Sequence, residues 1–205
     1  MTERAGKYAG LSVMDARKQI VEDMKKIGIL ERTEPYTHNV AHCYRCGTTL
    51  EPILSVQWFL KMSALAKNAL ATVKSGKVKF HPARWKKVYV DWLSKVRDWP
   101  ISRQIWWGHK IPIEGTEDTL DTWFSSALWP FATLGWPKAC GQDQNSKIKN
   151  KNSCKPLRGS DLDIFYPTQV LSTARDIINL WVSRMVFSGL EFIGREPFKN
   201  VIIHA

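Results

Sequence analysis

The stretch Phe165 to Ala205, FYPTQVLSTARDIINLWVSRMVFSGLEFIGREPFKNVIIHA, limits what this chain can fold into more than any other. Thr168 to Thr173 mixes β-branched and apolar residues and predicts a short buried strand. Ala174 to Asp176 reads as a tight turn. Ile177 to Leu190 then repeats apolar side chains at helical spacing (Ile177, Leu180, Trp181, Met185, Leu190), with the long stem of Arg184 on the same stripe. Gly194 breaks that helix, and Val201 to His204 is a second apolar strand. Strand, helix, strand is a βαβ unit, which puts the chain in the α/β class. Ligands of such units sit where the carboxyl end of the strand meets the helix N-terminus. Asp176 falls there. Its carboxylate has two possible uses, to accept hydrogen bonds from the hydroxyls of a ribose or to cap the helix.

The rest of the chain predicts further helices and three polar or aromatic groupings. Leu11 to Ile29 reads as an amphipathic helix capped by Ser12 and ended by Gly28, with Ala16, Ile20, Val21, Met24 and Ile27 on its apolar face. Ser63 to Gly76 reads as a helix capped by Ser63, so the Lys61-Met62-Ser63 triplet is the start of a helix and not a nucleotide-binding loop. His81 to Arg97 predicts a third helix with Pro82 in its first turn. Cys43-x-x-Cys46-Gly47 has the form of half a zinc knuckle, two thiolates on a hairpin tip. A structural zinc takes four ligands, and His38 and His42 stand at non-standard spacings. The pair is therefore an exposed dithiol or a site whose other half lies elsewhere. Arg103, Gln104, Trp106, Trp107, Gly108 and His109 group polar and aromatic side chains, as a binding site or as aromatic packing would. Trp123, in DTWFSS, either walls an apolar pocket or belongs to the core. Cys140 to Ser160 is rich in Lys, Asn and Ser and reads as a flexible surface loop.

Composition narrows the function classes. Thirty Lys and Arg against nineteen Asp and Glu give a net charge of +11. That excess fits either a solvated basic surface or a polyanionic partner. Ten tryptophans imply large buried or stacking surfaces. No stretch is long and apolar enough to span a bilayer, and Met1 to Gly10 is too polar for a signal peptide, so a soluble intracellular chain is expected. Four cysteines in that setting argue for metal or free thiols over a disulfide framework.

Four segments, HNVAHCYRCGTTLEPILSVQWFLKM, RDWPISRQIWWGHKIP, DTLDTWFSSALWPFATLGWP and FYPTQVLSTARDIINLWVSRM, resemble the valyl-tRNA synthetases, a family of class I aminoacyl-tRNA synthetases. ISRQ-x-WWGH and DTWFSS-x-LWP carry the specificity of the match, and isoleucyl- and leucyl-type enzymes usually differ there. The resemblance implies ATP-dependent joining of valine to tRNA through an aminoacyl-adenylate, in a cytoplasmic enzyme that is monomeric at full length. It implies the second half of a split Rossmann-type catalytic domain with a zinc-knuckle-like hairpin and flanking helices. Residues 1–37 would be the tail of an editing insertion and residues 38–205 the return into the catalytic domain, with the half-knuckle at 38–50 and the loop at 139–160. Thr173, Asp176 and His204 would bind ATP, which is used with Mg as substrate. Trp123 and Trp181 would wall the valine pocket. Arg103, Gln104, Trp107 and His109 remain a possible polar site, and Cys43 and Cys46 match half of a zinc site.

The departures carry equal weight. No HIGH motif and no true KMSKS motif occur in these residues, and the family's editing-pocket motifs are absent. Ala174 replaces the family glycine of TG-x-D, which keeps the backbone farther from a nucleotide. Only IEGTE stands between Pro112 and Asp118, where the family carries a longer segment. The resemblance therefore implies an internal part of such an enzyme, inactive alone. The alternatives are a basic, zinc-containing tRNA-binding module without catalysis, an isoleucyl-type fragment, and a remnant that folds poorly.

Overall fold

The computed structural model describes residues 1–44, 46–52, 54–141 and 154–204. Two compact units emerge, Met1–Leu54 and Ser55–Ala205. In the first, helix α1 spans Val13–Lys26, and the Ser12 side chain accepts the Asp15 N–H at 3.1 Å, as the sequence predicts. Ala16 is buried, while Ile27 is 68% exposed and does not join the packed face.

The second unit is built on a parallel sheet of β2 (Lys79–His81), β7 (Phe198–His204) and β6 (Thr168–Ala174), in that order. Both pairings are parallel and place Phe80 and Leu171 beside Val201, so the unit between β6 and β7 is βαβ. Three helices supply its main core: α2 (Ser63–Lys74), α3 (Arg84–Ser94) and α7 (Ser183–Phe192). Ala69, Val73, Tyr89, Leu93, Met185 and Val186 are buried with Phe80, Val201 and Ile203. The helical patterns thus close over one sheet face, because apolar positions at spacings of three and four turn toward it.

Several local expectations change. β6 is an edge strand and not a buried one: Thr168, Gln169, Val170 and Ser172 are exposed. The third helix begins at Arg84, since His81 closes β2 and Pro82 precedes the helix. Ser63 does not cap α2. Met62 holds the N-cap position, and its N–H is accepted by Asp98 Oδ1 at 3.0 Å. The helix after β6 enters through a 3-10 turn, Arg175–Ile177, and a π-helical turn, Ile178–Val182, before becoming α-helical. Gly194 ends it at φ +84°.

The short segments carry the rest. β1 (Phe59–Leu60) pairs with β3 (Trp99–Pro100), and β4 (Ser102–Arg103) pairs with β5 (Thr119–Leu120), both antiparallel. Helices α4 (Thr122–Ser126) and α5 (Trp129–Ala132) follow. A second core gathers Phe131 with Leu162, of α6 (Asp161–Phe165), and with Tyr166 and Ile193. Cys140 and Cys154 form a disulfide with Cα atoms 5.2 Å apart, contrary to the free-thiol expectation. The expected flexible loop falls mostly on 142–153, outside the described residues. Among the described residues no helix is long and apolar enough to cross a membrane.

Gly189 of α7 lies against Tyr166 of the second core with no room for a side chain. A Cβ there would lie 2.5 Å from Tyr166 Oη and 3.2 Å from both Arg195 O and Pro197 Cδ. Tyr166 cannot simply retreat, because its hydroxyl donates to Arg195 O at 2.9 Å. Ala would gain up to ~1 kcal/mol of helix propensity, but overpacking costs ~1–3 kcal/mol. Gly189→Ala should therefore lower stability in urea unfolding. Tyr166→Phe, which removes the clashing oxygen, should recover part of that loss in the double variant.

Candidate functional site

The carboxyl ends of the parallel strands mark the crevice position at which such units bind ligands. Register places Thr173 beside Ile203 and Ala174 beside His204. Thr173 is buried and His204 is exposed. Asp176 follows β6 by two residues, its side chain 84% exposed and its Oδ1 3.6 Å from Arg175 Nε. The capping role can now be judged. The N-cap positions of the 3-10 and π-helical turns are Ala174 and Ile177, and no side chain caps either. The Asp176 carboxylate is thus left at the surface of the crevice, where it can accept hydrogen bonds from a bound polar group.

Two half-buried tryptophans stand on neighbouring elements. Trp123 lies on α4 and Trp181 on the π-helical turn, and these elements pack together. The Trp181 indole N–H donates to Ser126 O, at the end of α4, at 3.1 Å. Both rings pack against the main core, and neither is sealed inside it. Each therefore keeps part of an apolar surface available to a small aliphatic group.

The residue that holds this region, Asp121, stands in the DTWFSS segment, where the sequence pattern marks it without assigning it a role. Asp121 is 3% exposed. Its Oδ1 accepts the Trp123 backbone N–H at 3.0 Å and so caps α4. Its Oδ2 accepts the Trp99 indole N–H at 2.9 Å and Arg103 Nη2. Its own N–H donates to Ile101 O at 2.8 Å. Arg184, also buried, stacks on the Trp99 ring at 3.9 Å and donates to Leu180 O at 3.0 Å. Burial lowers its pKa to about 10, with the charge of Asp121 opposing that shift and Arg103 adding to it. An Asp directly before a short apolar helix was the available signal, because that is where caps occur.

The polar group 103–109 does not converge on one point. Arg103 turns inward to Asp121 and to the Pro100 and Ser102 carbonyls. Gln104 Nε2 reaches Gln57 Oε1 at 3.4 Å. Trp107 is 70% exposed, and His109 is exposed with its carbonyl bonded to the Leu120 N–H. Gly108, at φ +123°, permits the hairpin to close, since a Cβ there would touch the Thr119 side chain at 3.4 Å.

At the Cys43–Cys46 turn, Gly47 adopts φ +69° and its N–H donates to Cys43 O at 2.9 Å. His42 Nδ1 lies 2.9 Å from Gly47 O, and His38 stacks on Tyr36, so neither ring is directed as a ligand by a shared cluster. Among the described residues no group of three or more His, Cys, Asp or Glu could hold a metal. Two thiols do not make the four-donor set of a structural zinc. The Cys46 thiol is nonetheless lowered to about 7, first by hydrogen bonding to the Thr48 hydroxyl, 3.2 Å away, and then by the Thr48 N–H and Cys43.

The chain belongs to a known group. The family model for class I tRNA synthetases (I, L, M and V) matches residues 10–115 and 113–205, so the chain belongs to that family. Among curated relatives, the valine–tRNA ligase of Carboxydothermus hydrogenoformans is 48% identical over 100% of this chain. Those of Petrotoga mobilis and Thermotoga maritima are 45% and 43% identical, again over the whole chain. The chain spans about a quarter of the length of these relatives, 24% in each case. A solved methionyl-tRNA synthetase from Mycobacterium tuberculosis, in complex with methionyl-adenylate, has the same fold, with a TM-score of 0.56 at 18% identity over 80% of this chain and 29% of that one.

The Cys46 environment gives a direct test. Its thiolate should form as pH rises through about 7, so alkylation by iodoacetamide should climb across that range. Thr48→Val removes the first cause of the lowered value. It should move the reactivity midpoint to higher pH, as read by mass spectrometry of the Cys43–Cys46 peptide.

Proposed function

We propose that residues 38–205 form the second part of the catalytic domain of a valine–tRNA ligase, following residues 1–37 as the tail of an editing insertion. The observation that carries this reading is the 43–48% identity, over the whole chain, to proteins named valine–tRNA ligase. In it Asp176 accepts the ribose hydroxyls of ATP, while Thr173 and His204 flank the adenylate. Trp123 and Trp181 wall the valine side chain. Cys43 and Cys46 supply half of a zinc site that needs two further donors. Catalysis by such a site is positioning and electrostatic stabilisation of phosphoryl oxygens, with Mg on the ATP and no covalent role for a side chain. The setting is the cytoplasm and the partner is tRNA.

A pocket of this kind sorts amino acids by size. One extra methylene is worth ~1–3 kcal/mol, so isoleucine is disfavoured by about 10–200-fold, whereas threonine, nearly isosteric, is poorly rejected. The net charge of +11 and the fully exposed Trp106 favour a second reading, an RNA-binding module without catalysis.

The test is a titration of the 205-residue chain with a non-hydrolysable valyl-adenylate analogue, followed by tryptophan fluorescence. The valyl analogue should bind at least ~10-fold more tightly than the isoleucyl one. Asp176→Ala should weaken both by the same factor, because the ribose is common to them. Without HIGH and KMSKS motifs the chain alone should show no valine-dependent ATP–pyrophosphate exchange. Equal affinity for the two analogues would overturn the valine pocket. Salt-sensitive tRNA binding with no analogue binding would favour the second reading.

A further inference from the structure

We infer that Asp121 is a positioning residue that sets the separation of Trp123 and Trp181, and through it the width of the aromatic pocket. The inference rests on the valine-pocket reading for its consequence, though not for its geometry. Helix α4 has five residues, Thr122–Ser126. A helix so short has no stability of its own and takes its place from what holds its ends. At its start, Asp121 Oδ1 accepts the Trp123 N–H at 3.0 Å. At its end, the Ser126 carbonyl accepts the Trp181 indole N–H at 3.1 Å. Trp123 therefore rides on a single turn fastened at both ends, and the second fastening is Trp181 itself.

The first fastening is rigid because Asp121 is rigid. Its carboxylate is buried and held on the far oxygen by the Trp99 indole at 2.9 Å and by Arg103. Trp99 is in turn clamped between the core and the Arg184 guanidinium, 3.9 Å above its ring. A displacement of Asp121 has no slack to absorb it before α4. Only a carboxylate serves here. Asn has the same size and keeps one oxygen for the Trp123 N–H, but it turns an NH₂ group toward two donors, Trp99 Nε1–H and Arg103 Nη2–H, which repel it. If the amide flips, the cap on α4 is lost instead.

The experiment records the indole Nε1–H signals of the ¹⁵N-labelled 205-residue chain, with Trp99→Phe and Trp181→Phe assigning the two resonances. In Asp121→Asn the Trp99 signal should move because its acceptor is gone. The Trp181 signal should move with it, although the Trp181 indole donates to Ser126 O and not to residue 121. Arg103→Met, at a side chain that is 41% exposed, should shift both signals in the same direction by a smaller amount and covers the case in which the Asn variant does not fold. In the same samples the valyl-adenylate analogue should weaken about tenfold while AMP holds within about twofold, since a wall moves and the ribose contact does not. A Trp99 signal that moves while Trp181 stays fixed, in whichever variant folds, overturns the inference. Equal weakening of the analogue and AMP also overturns it, as that is the mark of a merely structural role. Absence of analogue binding by the unaltered chain would sink the valine-pocket reading instead, and the indole signals would still decide whether Asp121 spaces the two rings.

Discussion

A single buried carboxylate, that of Asp121, ties together three separate segments of this molecule. An unpaired charge at the position of Asp121 would cost several kcal/mol, and the cost is avoided only by satisfying its oxygens completely. Three N–H groups do so, from Trp99, Arg103 and Trp123. Hydrogen bonds to charged groups contribute ~1.5–3 kcal/mol each, against ~0.5–1.5 for neutral pairs. The three donors come from β3, β4 and α4, so the motifs RDWPISRQ and DTWFSS are held to each other by this one side chain more than by the two-residue β4–β5 ladder. Arg184 lies behind it on the Trp99 ring, close enough for the two charges to influence each other. Charged side chains here fix the positions of aromatic ones.

The crevice depends on a different constraint, the way the chain leaves β6. A helix regular from Arg175 onward would have run straight into α7, with Asp176 in its first turn. Instead the chain makes a 3-10 turn and then a π-helical turn before settling into α7. Short π segments recur at functional sites because the extra residue per turn re-aims the side chains that follow. Here that path leaves the Asp176 carboxylate exposed and gives the Trp181 indole its reach to Ser126. Asp176 and Trp181, one from each half of the candidate site, thus stand on one irregular stretch of eight residues, 175–182.

What could be read from the sequence follows from how local each signal is. The βαβ unit, the Ser12 cap and the stop at Gly194 rest on spacings within one element, and they were legible. The exposure of β6 was not, because a run such as TQVLST reads as buried until its place in the strand order is known. The Cys140–Cys154 disulfide was missed for the same reason: composition argued for thiols, and the approach of the two cysteines depends on the second core around Phe131 and Leu162. Asp121 was visible only as one polar residue before a tryptophan. Its three donors lie 22, 18 and 2 residues away, and no periodicity encodes such a set. The group 103–109 erred in the opposite direction. Adjacent in sequence, its members part because only Arg103 lies in β4 and turns to Asp121, whereas residues 104–109 lie in the exposed connection beyond that strand.

The edge position of β6 bears on the site as well as on the sheet. Parallel sheets are normally covered on both faces, because each strand is as apolar on one side as on the other. In this unit the helices cover one face, while Val170 is 50% exposed and Ile202 43% on the neighbouring strand. The outer edge of β6 has no strand beside it among the described residues. Its ladder groups end at Ala174, two residues before Asp176. Any strand that paired with that edge in parallel would therefore finish its hydrogen bonds next to the Asp176 carboxylate and place its own outgoing turn over the crevice. A strand added there would extend the edge, while the face that bears Val170 and Ile202 would still need a cover of its own.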